Sequence, residues 1–225
     1  MKAKQMPSPF SWEERRVLIQ DGVWFIPDYL ENYEEFQFPG WETLFQNNHP
    51  VMIEYCSGNG TWIDSRAKQH PHLNWLAVEI RFDRIRKIWA KKKTHHLDNL
   101  FALCAEGELA TRLYFPDKSV DGVFINFPDP WPKERHAKHR LIKHDFAVEL
   151  ARILKPGKEV TIVTDHASYA EQIIEVFQNQ EGMRSVYEAP YFARELEGYG
   201  SSFFEQLWRG KGLLIHYIRF VKLNI

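Results

Sequence analysis

Apolar and polar positions alternate between two periods along this chain, and the switches outline most of its elements. Val51-Met52-Ile53-Glu54-Tyr55-Cys56 is a short apolar run with strand character. A helical pattern follows it and ends near His70, and Trp75-Leu76-Ala77-Val78-Glu79 is a second strand. Phe82, Ile85, Ile88 and Trp89 recur at helical spacing while Arg84, Lys87 and the lysines at 91–93 take the other positions, as in an amphipathic helix lying on a sheet. Leu100–Cys104 and 120–125 predict two more strands. A helix over 145–154 then stops at Lys155-Pro156-Gly157, and Glu159–Thr164 is a fifth strand. Tyr169, Ile173, Ile174 and Phe177 mark another helix, and 184–188 and 213–223 read as late strands. This punctuation predicts the α/β class, with a doubly wound, mostly parallel sheet whose end is antiparallel.

The first 46 residues do not follow this pattern and are expected to form an N-terminal arm, 1–46, before a single globular domain at 47–225. Within 28–42 the acids Asp28, Glu31, Glu34, Glu35 and Glu42 stand among Tyr29, Tyr33, Phe36, Phe38 and Trp41 with no Lys or Arg. Such a segment cannot grip phosphates. It reads either as an irregular arm laying its aromatics on the domain or as a flap over a site.

Composition narrows the class. With 225 residues, 44% of them hydrophobic, the chain can bury a core without metal or disulfide support, and its two cysteines, Cys56 and Cys104, both lie in apolar runs as expected of reduced thiols. No apolar run is long enough to span a bilayer and the start lacks a secretory signal, so no membrane partner and a cytoplasmic location are expected. A formal charge of -1 argues against holding nucleic acid by the overall field, so any polyanion site must be local.

In an open parallel sheet ligands bind beyond the carboxyl ends of the strands, which turns the strand ends into a candidate site. After the first strand, Glu54-Tyr55-Cys56-Ser57-Gly58-Asn59-Gly60 offers two glycines for a tight turn and close backbone approach. Glu79 ends the second strand, where an acid can accept both hydroxyls of a ribose, and Glu106 follows the third, where it can accept from an exocyclic amine. A dinucleotide would want a third glycine and few acids beside its phosphates. A phosphate-free ligand with a cationic end fits better, and S-adenosyl-L-methionine has those properties. An ordinary cap or surface carboxylate is the plain alternative for each acid.

The fourth strand runs into Asn126-Phe127-Pro128-Asp129-Pro130-Trp131-Pro132, where prolines on both sides of Asp129 make a stiff, non-helical ledge suited to holding a substrate. Lys133, Arg135, Lys138, Arg140 and Lys143 follow, with His136, His139 and His144, opposed only by Glu134. Beside a methyl-donor site this run reads as a landing place for a phosphate backbone. A metal is not expected there, because the histidines lie among cations without acids or thiols. Asp165 is either a substrate ligand or the cap of the next helix, and 201–205 reads as a Gly- and aromatic-rich loop.

Taken together, these residues resemble the bacterial tRNA (guanine-N7-)-methyltransferase family. The resemblance runs from about Asn47 onward and is most specific at Asn126-Phe127-Pro128-Asp129-Pro130-Trp131-Pro132-Lys133 and Arg135-His136-Ala137-Lys138-His139-Arg140-Leu141. It implies a Rossmann-like, seven-stranded sheet with an antiparallel last strand, S-adenosyl-L-methionine as cofactor and tRNA as partner, in a monomer or homodimer. It also implies that Glu54, Gly58, Gly60, Glu79, Glu106 and Asp129 hold the cofactor, with Asp129 catalytic. Lys133, Arg135, His136, Lys138, Arg140, Asp165, Ser202 and Glu205 match its substrate-binding positions. The chain departs from the family pattern at Cys56, where a glycine is usual, and at Glu106, His139 and Ser202, where Asp, Arg and Thr are usual. Two other readings stand beside this one: methyl transfer to another amide or base nitrogen, and an RNA-binding module without catalysis.

Overall fold

The computed structural model describes residues 1–6, 16–27 and 35–224, and the chain forms two compact units, Met1–Pro116 and Asp117–Ile225. In the first unit the order is β1 (Leu18–Gln20), β2 (Val23–Phe25), α1 (Trp41–Phe45), β3 (Val51–Tyr55), α2 (Thr61–Gln69), β4 (Asn74–Glu79), α3 (Phe82–His95), β5 (Leu100–Cys104) and α4 (Gly107–Tyr114). Strands β3, β4 and β5 pair in parallel, with β4 in the middle. All six residues of β4 are buried, as a strand covered on both faces requires. On α3 the apolar stripe Ile85, Ile88 and Trp89 is buried, as its spacing predicts.

The second unit contains β6 (Gly122–Asn126), a 3-10 helical turn over Glu134–His139, α5 (His144–Ile153), β7 (Glu159–Thr164), α6 (Ala167–Gln178), β8 (Met183–Ser185), α7 (Phe203–Gly210) and β9 (His216–Lys222). β6 and β7 are parallel, whereas β9 runs antiparallel to both β7 and β8, which is the antiparallel end expected of the late strands. Its core includes Phe146 and Leu150 of α5, Ile162 and Val163 of β7, and Tyr169, Ile173 and Phe177 of α6.

The α/β class is as expected, but the described residues contain nine strands rather than seven. The additional pair is the β1–β2 hairpin, whose second strand lies parallel to β5 through Val23, Trp24 and Phe25. Trp24 is fully buried; it stacks on Phe38 at 5.1 Å between ring centroids and meets Phe36, Tyr114 and Phe115 at 5.6–6.1 Å. Aromatic pairs of this kind contribute about 0.5–1.5 kcal/mol each beyond their buried area. So Phe36, Phe38 and Trp41 do lay their rings on the first unit, while Asp28, Tyr29, Glu31, Tyr33 and Glu34 lie outside the described residues.

Three helices went unforeseen: α1, a single turn within the expected arm, and the longer α4 and α7. The stretch at 201–205, read as loop, opens α7, and α4 follows β5 directly. Both α4 and α7 are short, and both begin at a capping side chain: Glu106 accepts from the N–H groups of Glu108 and Leu109, and Ser202 from that of Glu205.

Candidate functional site

In the first unit the candidate residues gather at the carboxyl ends of β3, β4 and β5. The turn after β3 is wound tightly. Ser57 donates its hydroxyl to the Glu54 carbonyl at 2.8 Å, Gly60 N–H donates to the Ser57 carbonyl at 2.8 Å, and Gly58 and Gly60 have φ of 54° and 68°. A Cβ on Gly60 would fall 2.6 Å from Cγ1 of Ile88, so only glycine lets α3 approach this closely. Cys56, in the family's glycine position, also takes a left-handed φ of 58°. The loop keeps its glycine geometry with a side chain present, at a cost of about 1 kcal/mol.

The three acids are held differently. Glu54 is 1% exposed within β3. Glu79, 4% exposed, accepts from Gly58 N–H at 2.9 Å and Arg81 N–H at 3.0 Å, and pairs with Arg84 at 3.3 Å. It therefore fixes the glycine turn from the neighbouring strand. Glu106 caps α4, accepting from the N–H groups of Glu108 at 3.1 Å and Leu109 at 2.6 Å. Two carboxylate oxygens offer about four acceptor positions, so both side chains keep capacity for a ligand. Residues 54–60 include no Lys or Arg, and the cations that reach the loop are already engaged, Lys87 with Asn59 Oδ1 at 3.1 Å and Arg84 with Glu79.

In the second unit the ledge after β6 is irregular, as its prolines require. Phe127 and Trp131 have φ of 50° and 40°, conformations that bulky residues avoid and that cost about 1–3 kcal/mol each. Asp129 is exposed between them, its Oδ1 3.5 Å from Trp131 N. Lys133, Arg135 and Lys138 project from the following turn, exposed and, among the described residues, without an ion-pair or hydrogen-bond partner for their side chains. His136 and His139 stand beside the Trp131 ring at 5.8 and 5.1 Å. No cluster able to hold a metal occurs among the described residues, and no helix among them is long and apolar enough to cross a membrane.

Arg140 departs from its expected place in the phosphate-contact run. It turns inward, donating Nε–H to the Pro130 carbonyl at 2.7 Å and Nη1–H to Gln172 Oε1, with its guanidinium 5.0 Å over the Tyr169 ring. Asp165, at the end of β7, is half-buried but does not cap α6; His166 does, accepting from Tyr169 N–H at 3.3 Å.

Ser202 and Glu205 are 6% and 7% exposed and form a reciprocal capping box at the start of α7. Glu205 Oε1 also accepts from the Tyr217 hydroxyl at 2.5 Å and from Arg209 Nε–H at 3.1 Å. Burial, and then the Glu205 acceptor, push the Tyr217 phenol up, so it stays a donor at neutral pH. Sequence reasoning missed the roles of four residues in this region. Tyr199 donates its hydroxyl to Asn126 Oδ1 at 2.7 Å, Tyr217 and Arg209 lock Glu205, and Phe204 lies 6.2 Å from Phe127. The Ser-x-x-Glu spacing at 202–205 is the signal in the sequence that could have found the start of this helix.

With this geometry in place, the chain can be compared with known proteins. The family model Methyltransf_4, described as methyltransferase, matches residues 48–216. The chain is 42% identical over 222 residues to a tRNA (guanine-N(7)-)-methyltransferase of Chlamydia abortus (strain DSM 27085 / S26/3), covering 99% of this chain and 98% of that one. It is 34% identical over 157 residues to the protein of that name from Enterococcus faecalis (strain ATCC 700802 / V583), covering 67% and 73%. Among solved structures it is similar in fold to the 16S rRNA methyltransferase KamB, with a TM-score of 0.58 and 16% identity over 83% of this chain and 95% of that one.

Proposed function

This chain belongs to the tRNA (guanine-N(7)-)-methyltransferase family, and from that premise we propose that it forms 7-methylguanosine in the variable loop of tRNA, in the cytoplasm. The observation that carries the reading is the coincidence, in one chain, of family likeness along nearly its whole length with an exposed carboxylate on a proline-stiffened ledge beside uncommitted cations. S-adenosyl-L-methionine is the cofactor, and when bound it supplies a methyl group on a sulfonium centre. The first unit's residues fit it: Glu54 and Glu106 offer acceptors for its ammonium and exocyclic amine, Glu79 for its ribose, and Gly58 and Gly60 allow close backbone approach.

Guanine N7 carries an in-plane lone pair and no proton, so the residues need no general base and their task is alignment. Asp129 accepts hydrogen bonds from the guanine's N–H groups and offsets the positive charge that develops on the methylated base. Lys133, Arg135, His136 and Lys138 clamp phosphates, and Trp131 offers a face for an unpaired base to stack on. Asp165, Ser202 and Glu205 complete the substrate side, the last two through a helix start that their mutual bonds hold rigid.

The test is nucleoside analysis of an unmodified tRNA transcript after incubation with the protein and S-adenosyl-L-methionine. 7-Methylguanosine at one position of the variable loop is expected. Label in another RNA, or in protein, in place of tRNA would overturn the assignment.

A further inference from the structure

We propose that Arg140 is the positioning residue for Asp129: it holds the strained ledge from behind and does not contact the RNA backbone. The inference rests on the reading of Asp129 given above. The ledge has little means of anchoring itself. Pro128, Pro130 and Pro132 have no N–H, so from 128 to 132 only Asp129 and Trp131 can donate from the backbone, and the Trp131 N–H is directed at the Asp129 side chain. The carbonyls must be gripped from outside, and Arg140 does this. Nε–H meets the Pro130 carbonyl at 2.7 Å and an Nη2–H reaches toward the Trp131 carbonyl at 3.5 Å, so one planar fork spans the two residues immediately after Asp129.

Trp131, one of these two, has a left-handed φ of 40°. Strained backbone of this kind persists only where the surroundings over-determine it. Arg140 is itself fixed at every edge. Its Nη1–H donates to Gln172, whose amide donates to the Ile142 carbonyl at 3.1 Å, and its face lies over Tyr169, whose hydroxyl accepts from Ile142 N–H at 3.1 Å. Tyr169 is fully buried in α6, so the chain Tyr169, Gln172, Arg140 ties the orientation of the carboxylate to the core of the second unit. A cation committed in this way has little left to offer a phosphate, unlike Lys133, Arg135 and Lys138.

The test compares R140A, R140K, Q172A and D129N with wild type, measuring kcat at saturating transcript and donor, and the salt dependence of tRNA binding. R140A should lower kcat by about 10²-fold, the scale of a 1 Å misplacement, with the log–log salt slope of binding unchanged. R140K should fall between R140A and wild type, since an ammonium reaches one carbonyl where the fork reaches two. The double variant D129N/R140A should be no slower than the slower single. Wild-type kcat in R140A with the salt slope reduced by about one unit would overturn the inference and return Arg140 to the phosphate contacts. Multiplying effects in the double variant would also overturn it. If R140A lacks a cooperative thermal transition, Q172A decides: a fall in kcat without a change in tRNA affinity supports the inference, and wild-type kcat overturns it. D129N at the wild-type rate strikes down the reading of Asp129 itself, an outcome distinct from full activity in R140A with D129N impaired.

Discussion

The carboxylates of the first unit and the carboxylate of the ledge are solutions to different problems. Glu79 and Glu106 are occupied by backbone N–H groups at 2.6–3.1 Å, and Glu54 lies almost wholly out of solvent. Glu79 and Glu106 keep for a ligand only the acceptor capacity that these bonds leave over, and the bonds settle their positions before anything binds. Asp129 is exposed, and what is rigid there is the backbone, held by prolines and Arg140. A small cofactor, identical at every turnover, can be met by side chains locked in advance. A base presented by a large, mobile RNA needs an accessible group whose mounting is stiff. Preorganisation sits in the side chain in the first case and in the main chain in the second.

Variants can break this contrast. The largest effect is expected from Asp129→Asn, which removes the charge while keeping the shape: kcat should fall by about 10²–10³-fold with tRNA affinity nearly unchanged, in single-turnover assays. Glu79→Gln comes next. Its loss leaves Gly58 N–H and Arg84 with a weaker partner, so cofactor affinity measured calorimetrically should drop by about 1–3 kcal/mol while tRNA binding holds. A matching loss of tRNA affinity would show that the two regions are not separable. Lys138→Ala should weaken binding of all tRNA sequences alike and flatten the log–log salt slope by up to about one unit. An unchanged slope removes it from the interface.

The smaller effects are on stability. Cys56→Gly relieves a left-handed side chain and should stabilise the protein by about 0.5–1 kcal/mol, raising Tm by about 1–4 °C in calorimetry. No change would mean that the loop bears no strain. Burial, and then the Arg194 cation, hold His216 below its ordinary 6.5. Because its folded-state value is depressed, the unfolded chain binds the proton more readily, so the native state is favoured above 6.5 and loses stability as pH falls through that value. His216→Phe should therefore show a smaller drop in Tm between pH 7 and pH 5.5 than wild type.

The strands of the central region were legible because β3, β4 and β5 are continuous apolar runs, and α3 because its stripe has one period. The hairpin β1–β2 was not, since three-residue strands carry no periodicity and exist through pairing with β5, far along the chain. Helices α4 and α7 are too short for a pattern, and their signals were single capping residues that also looked like ligands. At the site, residue types marked Glu79, Asp129 and the lysines. The left-handed Phe127 and Trp131 were invisible because neither is glycine, and a run of cations cannot disclose that Arg140 turns back while its neighbours project.

The pairing of β2 with β5 bears on how the protein is made. Val23 is hydrogen-bonded alongside Ala102, about 80 positions later, so during synthesis the first of these strands leaves the ribosome roughly 4–16 s before the second. Through that interval Trp24 has only the Phe36 and Phe38 part of its aromatic pocket, because Tyr114 and Phe115 come later still. The pairing of the hairpin with the sheet therefore has to wait for β5, although the hairpin is translated earlier.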